Sequence, residues 1–529
     1  ERMALAKFIV VIFVFFVSSD AVIQHANVDD LAKCSKNYEN PKFPVSEVLF
    51  SPNNASFSSV LVNYIRNKRF NLISTPKPVA IVTPKHESQV QTTVICANLL
   101  RLQVRIRSGG HDYEGLSYVS DVPFVLVDMF NMNGIAFDMR EKTAWIESGA
   151  ILGELYYKLA KLSDVYAFPA GVCPSLGVGG HFAGGGYGTL MRKYGLSVDN
   201  AVDAKIVDSK GKVLSRDTMG EDVFWALKGG GGASFGIILS WKIRLVPVPQ
   251  TVTTFQVDKT VEENAIGLLY QWQKVASVVD ENLYIRIQFG VVSGTAPGKK
   301  TVRVSFIGMY LGDKRNFLPV IGKSFPDLGI SMNDCSEMKW INSTLFFYGM
   351  PRDTPLEFLL QRSSGPMFFL KHKSDYVKSV IPPQALEKIL ATFSDLGDLS
   401  MQWNPYGGKM AEIPEAATAF PHRAGNIFKI QYMADWKEPG ETAERNYVTK
   451  LRKFYDVMQP YVSSNPREAF LNYRDIDVGS IGSDGNGSFA AARSYGVKYF
   501  KNNFEKLVKV KTAFDAGNFF RYEQSIPVK

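Results

Sequence analysis

Two glycine-rich segments of this chain each hold a side chain that can form a covalent bond. Residues 107–115 read RSGGHDYEG and contain His111, and residues 171–188 read GVCPSLGVGGHFAGGGYG and contain Cys173. Glycine lets backbone amides approach a ligand closely and permits positive φ, and clustered amides form concave sites for an anion such as a diphosphate. The pattern predicts a cofactor that the backbone cradles and that His111 and Cys173 tether.

Each feature also has an ordinary explanation. One glycine loop alone is more often structural, and the second loop is not the dinucleotide-binding fingerprint. His111 alone would be a loop histidine, and Cys173 alone a small buried apolar side chain. Two such loops, each with a nucleophilic side chain, are harder to explain by packing. A third segment, KGGGGASFG at 228–236, is predicted to be an ordered turn and a further backbone cradle.

The elements around these loops suit that role. Val79–Val82, Glu87–Leu102 and Val104–Ile106 predict strand, helix and strand, so the first loop follows the carboxyl end of a strand, a usual place for a ligand. The stretch 204–215 predicts a hairpin around a Ser-Lys-Gly turn.

A second unit follows the prolines at 247 and 249. Mixed strand and helix patterns over 251–461 predict a sheet with helices on one face. In the tail, Ala469–Asp477 is predicted to be a strand and Ala490–Lys509 a helix.

Composition limits the class of protein. With 529 residues and 46% hydrophobic residues, the chain can bury a large core. The formal charge of +9 is scattered and forms no basic block, which favours a solvated basic surface over a nucleic-acid interface. No two cysteines have ligand spacing, so no metal site is expected.

The start of the chain predicts export. Residues 1–21 contain basic residues, the apolar run Phe8–Val17 and then small residues, as in a secretory signal peptide. That run is too short to span a bilayer, and no other is long enough. We therefore expect a secreted or secretory-pathway protein (extracellular, cell wall or vacuole). Glycosylation is predicted at Asn54, Asn342 and Asn486, and an oxidising compartment permits a disulfide.

Longer motifs in a fixed order support a family resemblance. They are FWALKGGGGASFG from Phe224, PYGGKM from Pro405, FPHRAG from Phe420, LNYRDIDVG from Leu471 and NFFRYEQSIP from Asn518. With the two glycine loops, they make the chain resemble the plant berberine bridge enzyme-like flavoproteins from about Cys34 to Pro527. The resemblance implies an α+β, two-lobe FAD-binding fold of the PCMH/vanillyl-alcohol-oxidase type. It places an FAD domain at 28–250, an α/β substrate domain at 251–465 and a C-terminal segment, 466–529, returning to the FAD domain.

The same resemblance implies an FAD bonded twice, through its 8-methyl carbon to His111 and through its 6-carbon to Cys173. Two such bonds would hold the ring and raise its potential. The other cofactor-binding residues would be Arg107, Ser108, Gly109, Gly110, Gly177, Gly180, Gly186 and Gly236. A Cys34–Cys96 disulfide is likewise expected of the family; we pair these residues as a staple for the N-terminal segment, which leaves Cys335 unpaired and buried.

The catalytic residues implied by the resemblance are Tyr187, Arg286, Lys429, Gln431 and Tyr473. Strand alternation places Lys429 and Gln431 on one face. A phenol with a pKa near 10 is a poor base unless a cation stabilises its anion; with that help a tyrosinate takes a hydroxyl proton as hydride leaves. Without the family, Lys429 and Arg286 would be interpreted as solvent-facing and Tyr473 as a core aromatic.

Two positions narrow the chemistry. Berberine bridge enzyme itself has a glutamate where this chain has Gln431, which argues against alkaloid cyclisation and for alcohol oxidation. Leu176 lies three residues after the tethering cysteine. In the family, valine there goes with fast oxygen reaction and leucine with slow, so Leu176 predicts an oxygen gate and an acceptor other than oxygen.

The sequence thus predicts a secreted, bicovalent FAD-dependent oxidoreductase. It would take hydride from a small phenolic or allylic alcohol such as a monolignol, with carbohydrate next, and pass electrons to O2 or an organic acceptor. Three alternatives stay open: oxidative cyclisation of a prenylated phenol, a non-redox Diels–Alder-type cyclisation that keeps FAD as scaffold, and a binding or allergen-like protein with incidental catalysis.

Overall fold

The computed structural model describes residues 26–295, 298–362 and 367–529. The signal-peptide prediction lies outside these residues. The helices are α1 Val28–Tyr38, α2 Phe57–Val62, α3 Glu87–Leu99, α4 Leu152–Leu162, α5 Val178–Ala183, α6 Met191–Tyr194, α7 Arg216–Met219, α8 Glu221–Leu227, α9 Ala265–Val275, α10 Lys314–Ser324, α11 Trp340–Tyr348, α12 Pro383–Leu396, α13 Lys409–Glu412, α14 Glu441–Met458, α15 Phe489–Phe500 and α16 Asn503–Phe514.

The strands form four sheets. They are β1 Leu49–Phe50, β2 Ala80–Val82, β3 Gln103–Arg107, β4 Phe124–Asp128, β5 Ile135–Asp138, β6 Thr143–Glu147, β7 Tyr166–Ala167, β8 Ala201–Val207, β9 Val213–Leu214, β10 Ile237–Arg244, β11 Val246–Pro247, β12 Val252–Thr260, β13 Leu283–Ser293, β14 Lys300–Tyr310, β15 Cys335–Met338, β16 Phe369–Val377, β17 Ser400–Pro405 and β18 Phe428–Trp436.

The first sheet has the order β1-β2-β4-β3, with β2, β4 and β3 parallel. Helix α3 connects β2 to β3, as predicted, and β3 leads directly into the first glycine loop. β2 is apolar and fully buried, as is usual for a parallel strand covered on both faces. The Cys34–Cys96 disulfide joins α1 to α3, which confirms the predicted staple, and Cys335 is a buried free thiol.

The second sheet is antiparallel, in the order β5-β6-β10-β8-β9. Strands β8 and β9 form the predicted hairpin. A two-stranded sheet of β11 and β7 adjoins it. The apolar face of this sheet packs under α4, α5 and α8, and the tail helices α15 and α16 complete the same core. The tail therefore returns to the N-terminal half of the chain.

The third sheet has seven antiparallel strands, β15-β12-β14-β13-β17-β18-β16. One face is covered by α9, α10, α12 and α14 around an aromatic core that includes Trp272, Trp403 and Phe454. The helices lie on one face, as the mixed pattern predicted. The opposite face turns toward the first two sheets, so the α+β, two-lobe prediction is confirmed.

Two predictions for the tail are wrong. Ala469–Asp477 is not a strand but an irregular segment with two short 3-10 turns. Several of its amides bond to side chains, and others bond to a helix or turn carbonyl and not to a neighbouring strand; the Phe470 N–H, for example, donates to the Ser374 hydroxyl and the Ala469 N–H to the Lys498 carbonyl. The predicted helix Ala490–Lys509 is two helices, because Lys501 adopts a φ of +49° between α15 and α16.

A buried ion cluster joins the two lobes near these turns. Lys371 and Lys373 of β16 bind the carboxylates of Glu114, Asp475 and Asp477. Glu114 belongs to the first glycine loop and the aspartates to the tail. Removing one partner of a buried ion pair costs about 3–5 kcal/mol, so this cluster fixes the loop, the tail and the third sheet relative to one another.

The sequons differ in exposure. Asn54 and Asn486 are exposed in irregular segments, while Asn342 is partly buried within α11. Glycosylation at all three remains a prediction. Across the described residues, none of the helices combines the length and apolar character that crossing a membrane requires.

Candidate active site

A cavity of about 660 Å³ lies between the third sheet and the glycine loops. This volume lies within the usual range of small-molecule and cofactor sites, about 300–1,000 Å³. Strands β13, β17 and β18 form one wall, the two predicted loops and the segment 231–236 form another, and tail residues 470–474 close the side. The sequence-predicted residues that line it are Ser108, Gly109, Gly110, His111, Cys173, Leu176, Gly177, Gly180, Tyr187, Gly236, Arg286, Gln431 and Tyr473.

Three predicted residues do not line the cavity. Arg107 is fully buried in an ion pair with Asp128 and supports the first loop from behind. Gly186 has a φ of +72° and packs against Ser197. Lys429 lies behind the aromatic rings that face the cavity. The solvent-facing interpretations of Lys429 and Arg286 are wrong, since these side chains are 0% and 8% exposed.

The glycines allow the two loops to touch each other and leave a bare surface toward the cavity. A Cβ on Gly177 would lie 2.2 Å from the Gly109 nitrogen and 2.1 Å from the Ser108 hydroxyl oxygen. A Cβ on Gly180 would meet no protein atom within 4 Å, although this residue lines the cavity. The surface thus accepts a group that must lie directly against backbone, as the flavin and diphosphate of FAD would.

The two predicted attachment side chains meet at one hydroxyl. His111 Nε2 lies 3.1 Å from Ser175 Oγ, and Cys173 Sγ lies 3.5 Å from the same oxygen. Burial, with a smaller contribution from the charge of Arg66, lowers the pKa of His111 to about 3, so its imidazole is neutral. Burial raises the pKa of the Cys173 thiol. Tertiary structure therefore brings both tethers to one edge of the cavity.

The predicted base cluster is assembled around two phenols. The hydroxyls of Tyr187 and Tyr473 are hydrogen-bonded to each other. Lys429 Nζ lies 3.2 Å from the centre of the Tyr187 ring, 3.7 Å from that of Phe470 and 4.5 Å from that of Tyr473. This amine has no hydrogen-bond partner among the described residues, so its contacts are with ring faces. Arg286 donates to the Phe347 carbonyl at 2.7 Å.

The surroundings make the two phenols unequal. Burial raises the pKa of Tyr187, but the hydrogen bond from Tyr473 and the charge of Arg286 oppose that rise. Burial and the neighbouring phenols raise the pKa of Tyr473 further. Tyr187 is therefore the phenol that ionises first, and once it is ionised Tyr473 is the donor of the hydrogen bond between them. Burial lowers the pKa of Lys429 well below its ordinary value. A negatively charged phenolate beside the amine would stabilise its protonated form.

Several cavity residues were not predicted. The Gln431 amide donates to the Tyr113 hydroxyl at 2.9 Å, and His372, whose Nε2 lies 2.8 Å from Asp435, packs its ring edge against Tyr113. Tyr113 follows His111 by two residues, so its place in the glycine loop was an available signal. His372 belongs to no motif and enters the site only through the pairing of β16 with β18.

His181 is another cavity residue that was not predicted. It lines the cavity from within the second glycine loop, and its Nε2 accepts the Gly171 N–H at 3.0 Å. Burial, and to a smaller extent the charge of Lys429, lowers its pKa to about 3. The imidazole is therefore neutral and carries its proton on Nδ1.

Carboxamides cover part of the sheet wall. Gln288, Gln402 and Gln431 stand opposite one another on β13, β17 and β18. Asn404, 1% exposed, lines the cavity, and its Nδ2 has no partner among the described residues. An unpaired buried amide is costly, so this wall offers donors and acceptors to a polar ligand.

Comparison with known proteins defines the class. A family model described as "FAD binding domain" matches residues 78–216, and one described as "Berberine and berberine like" matches residues 469–527. These ranges hold the first two glycine loops and the tail segment with Tyr473. The chain is an FAD-linked oxidoreductase.

Relatives and solved structures identify the family. Berberine bridge enzyme-like 11 of Arabidopsis thaliana is 52% identical over 491 residues, covering 93% of each chain, and berberine bridge enzyme-like 17 is 50% identical over 98% of each. The chain belongs to the berberine bridge enzyme-like family. The structure of BBE-like #28 from Arabidopsis thaliana has a TM-score of 0.88 at 42% identity, covering 95% of this chain and 100% of that one. Phl p 4, a grass pollen allergen with glucose dehydrogenase activity, has the same TM-score and identity over 94% and 99%.

Proposed function

We propose that the cavity holds FAD bonded to His111 and Cys173 and that the protein oxidises a hydroxyl group of a small molecule by hydride transfer. The carrying observation is the hydrogen-bonded Tyr187–Tyr473 pair, which faces the cavity with Lys429 behind it. A phenol pair with a buried amine against its rings can serve as a base that removes a hydroxyl proton.

The side chains divide the work as follows. Tyr187 takes the substrate's hydroxyl proton while Tyr473 donates a hydrogen bond to its oxygen. Arg286 and Lys429 stabilise the resulting charge, and a positioned base of this kind contributes about 10²–10⁴-fold. Gln431 and Tyr113 orient the substrate oxygen. FAD held by His111 and Cys173 would supply the hydride acceptor and the route for two electrons to the final acceptor.

The favoured substrate is a small phenolic or allylic alcohol such as a monolignol. Aromatic and apolar side chains at the substrate end of the cavity, including Tyr284, Phe347 and Met433, support that choice. The second candidate is a carbohydrate, because the carboxamide wall and the unpaired Asn404 amide suit several hydroxyl groups. Solved relatives described as glucose dehydrogenases favour the same candidate.

The acceptor and the compartment complete the proposal. Leu176 lines the cavity beside Cys173 and would restrict oxygen, which favours an organic acceptor. Among the structural neighbours, an isoleucine-to-valine variant is described as a glucose oxidase and the wild type as a glucose dehydrogenase, so one side chain can decide this property. The disulfide supports a secreted location.

The test is anaerobic mixing of the purified holoprotein with cinnamyl alcohols, oligosaccharides and prenylated phenols, followed by flavin absorbance. We expect bleaching by one alcohol class and at least 100-fold slower bleaching in Tyr187→Phe. Bleaching by carbohydrates alone would select the second candidate. Product formation from a diene and dienophile without bleaching would refute the hydride mechanism, and bleaching only by prenylated phenols with ring closure would establish the cyclase.

A further inference from the structure

One hydroxyl group contacts both side chains that the proposed function assigns to flavin attachment. Ser175 Oγ lies 3.1 Å from His111 Nε2 and 3.5 Å from Cys173 Sγ. Ser175 is 2% exposed, so water does not compete freely for these contacts. His111 and Cys173 come from different glycine loops, and this serine is where the loops' reactive side chains meet.

The two contacts allow the Ser175 hydroxyl to accept one hydrogen bond and donate another. If the His111 Nε2–H donates to Ser175, the hydroxyl hydrogen is free to donate to the Cys173 sulfur. His111 Nδ1 is then an unprotonated nucleophile, and the sulfur receives a hydrogen bond that favours its thiolate, the reactive form. A single hydroxyl can make both bonds because it accepts and donates at once.

We propose that Ser175 is the positioning residue that prepares both His111 and Cys173 for covalent attachment of FAD. This inference rests on the proposed double attachment. In each attachment a side-chain atom replaces one hydrogen on a flavin carbon: Nδ1 on the methyl carbon and Sγ on the ring carbon. The side chain loses its N–H or S–H proton, the flavin carbon loses its hydrogen, and the two electrons and two protons reduce dioxygen to hydrogen peroxide.

The surroundings agree with this role. Burial raises the pKa of the Cys173 thiol, whereas the hydrogen bonds from Ser175 and the charge of Arg66 act in the opposite direction. In Ser175→Ala the side-chain hydrogen bond is lost, and only the backbone N–H groups at positions 175 and 176 and the charge of Arg66 remain to offset the cost of a buried thiolate. Cys173 attachment should therefore depend on Ser175 more strongly than His111 attachment, since a neutral imidazole needs only orientation.

The experiment measures covalent bonds and needs no substrate. Wild type, Ser175→Ala, Ser175→Thr and Ser197→Ala are secreted from the same host. Flavin on the peptides that carry His111 and Cys173 is quantified by mass spectrometry and by gel fluorescence after denaturation. Ser197 is the matched control, a buried serine that bonds the second glycine loop at Gly186 but touches neither tether.

We expect both bonds in wild type, in Ser175→Thr and in Ser197→Ala. In Ser175→Ala the fraction bonded through Cys173 should fall at least tenfold. Incubating that partly bonded holoprotein in air at about pH 9 should form the Cys173 bond about 100-fold faster than at pH 7, because below the pKa of a thiol its reactive thiolate fraction rises about tenfold per pH unit. A purely structural defect would not respond to pH in this way.

Three results would overturn the proposal. They are full double attachment in Ser175→Ala at neutral pH, a defect that high pH does not repair, and a wild type that lacks either bond. If Ser175→Ala is not secreted, the fraction of Cys173 bonded to flavin is compared between Ser175→Val and Ser175→Thr. Equal fractions in these two variants would refute the positioning role of Ser175. Alcohol oxidation is measured separately, so a wild type with both bonds but no flavin bleaching would fault only the proposed reaction.

Discussion

Replacing Lys429 with methionine should make the protein more stable and less active. Lys429 is fully buried, without a hydrogen-bond partner or a carboxylate among the described residues. An unsatisfied buried donor costs about 1–3 kcal/mol, and contact with aromatic rings returns about 0.5–2 kcal/mol. Methionine fills nearly the same volume without a charge. We therefore expect Lys429→Met to raise stability by up to about 2 kcal/mol.

The loss of activity follows from the same contacts. Unit charges at about 4 Å and an effective dielectric constant near 20 interact by about 4 kcal/mol. The phenolate charge is shared by oxygen and ring, so we take about 3 kcal/mol, or roughly two pKa units. In the state with a Tyr187 phenolate and a protonated Lys429, losing the lysine removes this attraction and raises the pKa of Tyr187. The rise of flavin reduction rate with pH should thus move upward by about two units, and the rate at neutral pH should fall about 100-fold.

Two measurements check this, thermal unfolding of the holoprotein and anaerobic flavin reduction by the best alcohol across pH. Lys373→Met is the control, because Lys373 is equally buried but ion-paired with Asp475 and Asp477. That change should cost about 3–5 kcal/mol by leaving carboxylates unpaired. A Lys429→Met protein that melts well below wild type, or that keeps the wild-type pH profile, would refute our account of the site.

Three further predictions concern the cavity. Gly180→Ala should lower the flavin-to-protein absorbance ratio at least tenfold, since the added methyl group can meet only the cofactor. Gly322→Ala, on the exposed face of α10, is the control. Equal flavin content in Gly180→Ala and wild type would contradict the cradle. His181→Gln should reduce the loss of stability in acid. The native pKa of His181 near 3 lies below its unfolded value near 6.5, so wild type loses stability as pH falls below about 6.5, by about 2 kcal/mol at pH 5. If the melting temperatures of the two proteins fall in parallel between pH 7 and pH 5, His181 does not have this role. Leu176→Val should speed reoxidation of reduced flavin by oxygen at least tenfold, and an unchanged rate would remove Leu176 as the gate.

Local patterns in the sequence identify the parts of the site that depend on nearby residues. Glycine runs mark positions where the backbone must touch another group, so the amino-acid sequence alone predicts the cradle around His111 and Cys173. Strand alternation places Lys429 and Gln431 on one face, and helix periodicity locates α3. The family resemblance supplies the Cys34–Cys96 pairing and the two-lobe fold.

Only tertiary structure decides how distant segments act on one another. Burial of Lys429 without a partner, and the donor role of Tyr473 toward Tyr187, depend on which elements pack around them and on how much water they exclude. Ser175 contacts both attachment side chains because the two glycine loops converge on it. His372 reaches the cavity because β16 pairs with β18. The tail near Tyr473 resembles a strand in sequence because its apolar pattern is local. Its backbone instead bonds partly to side chains of other elements, such as Ser374 and Glu114. Residue type and spacing determine which chemistry is available, but pKa and contact are properties of the surroundings, which only the folded chain creates.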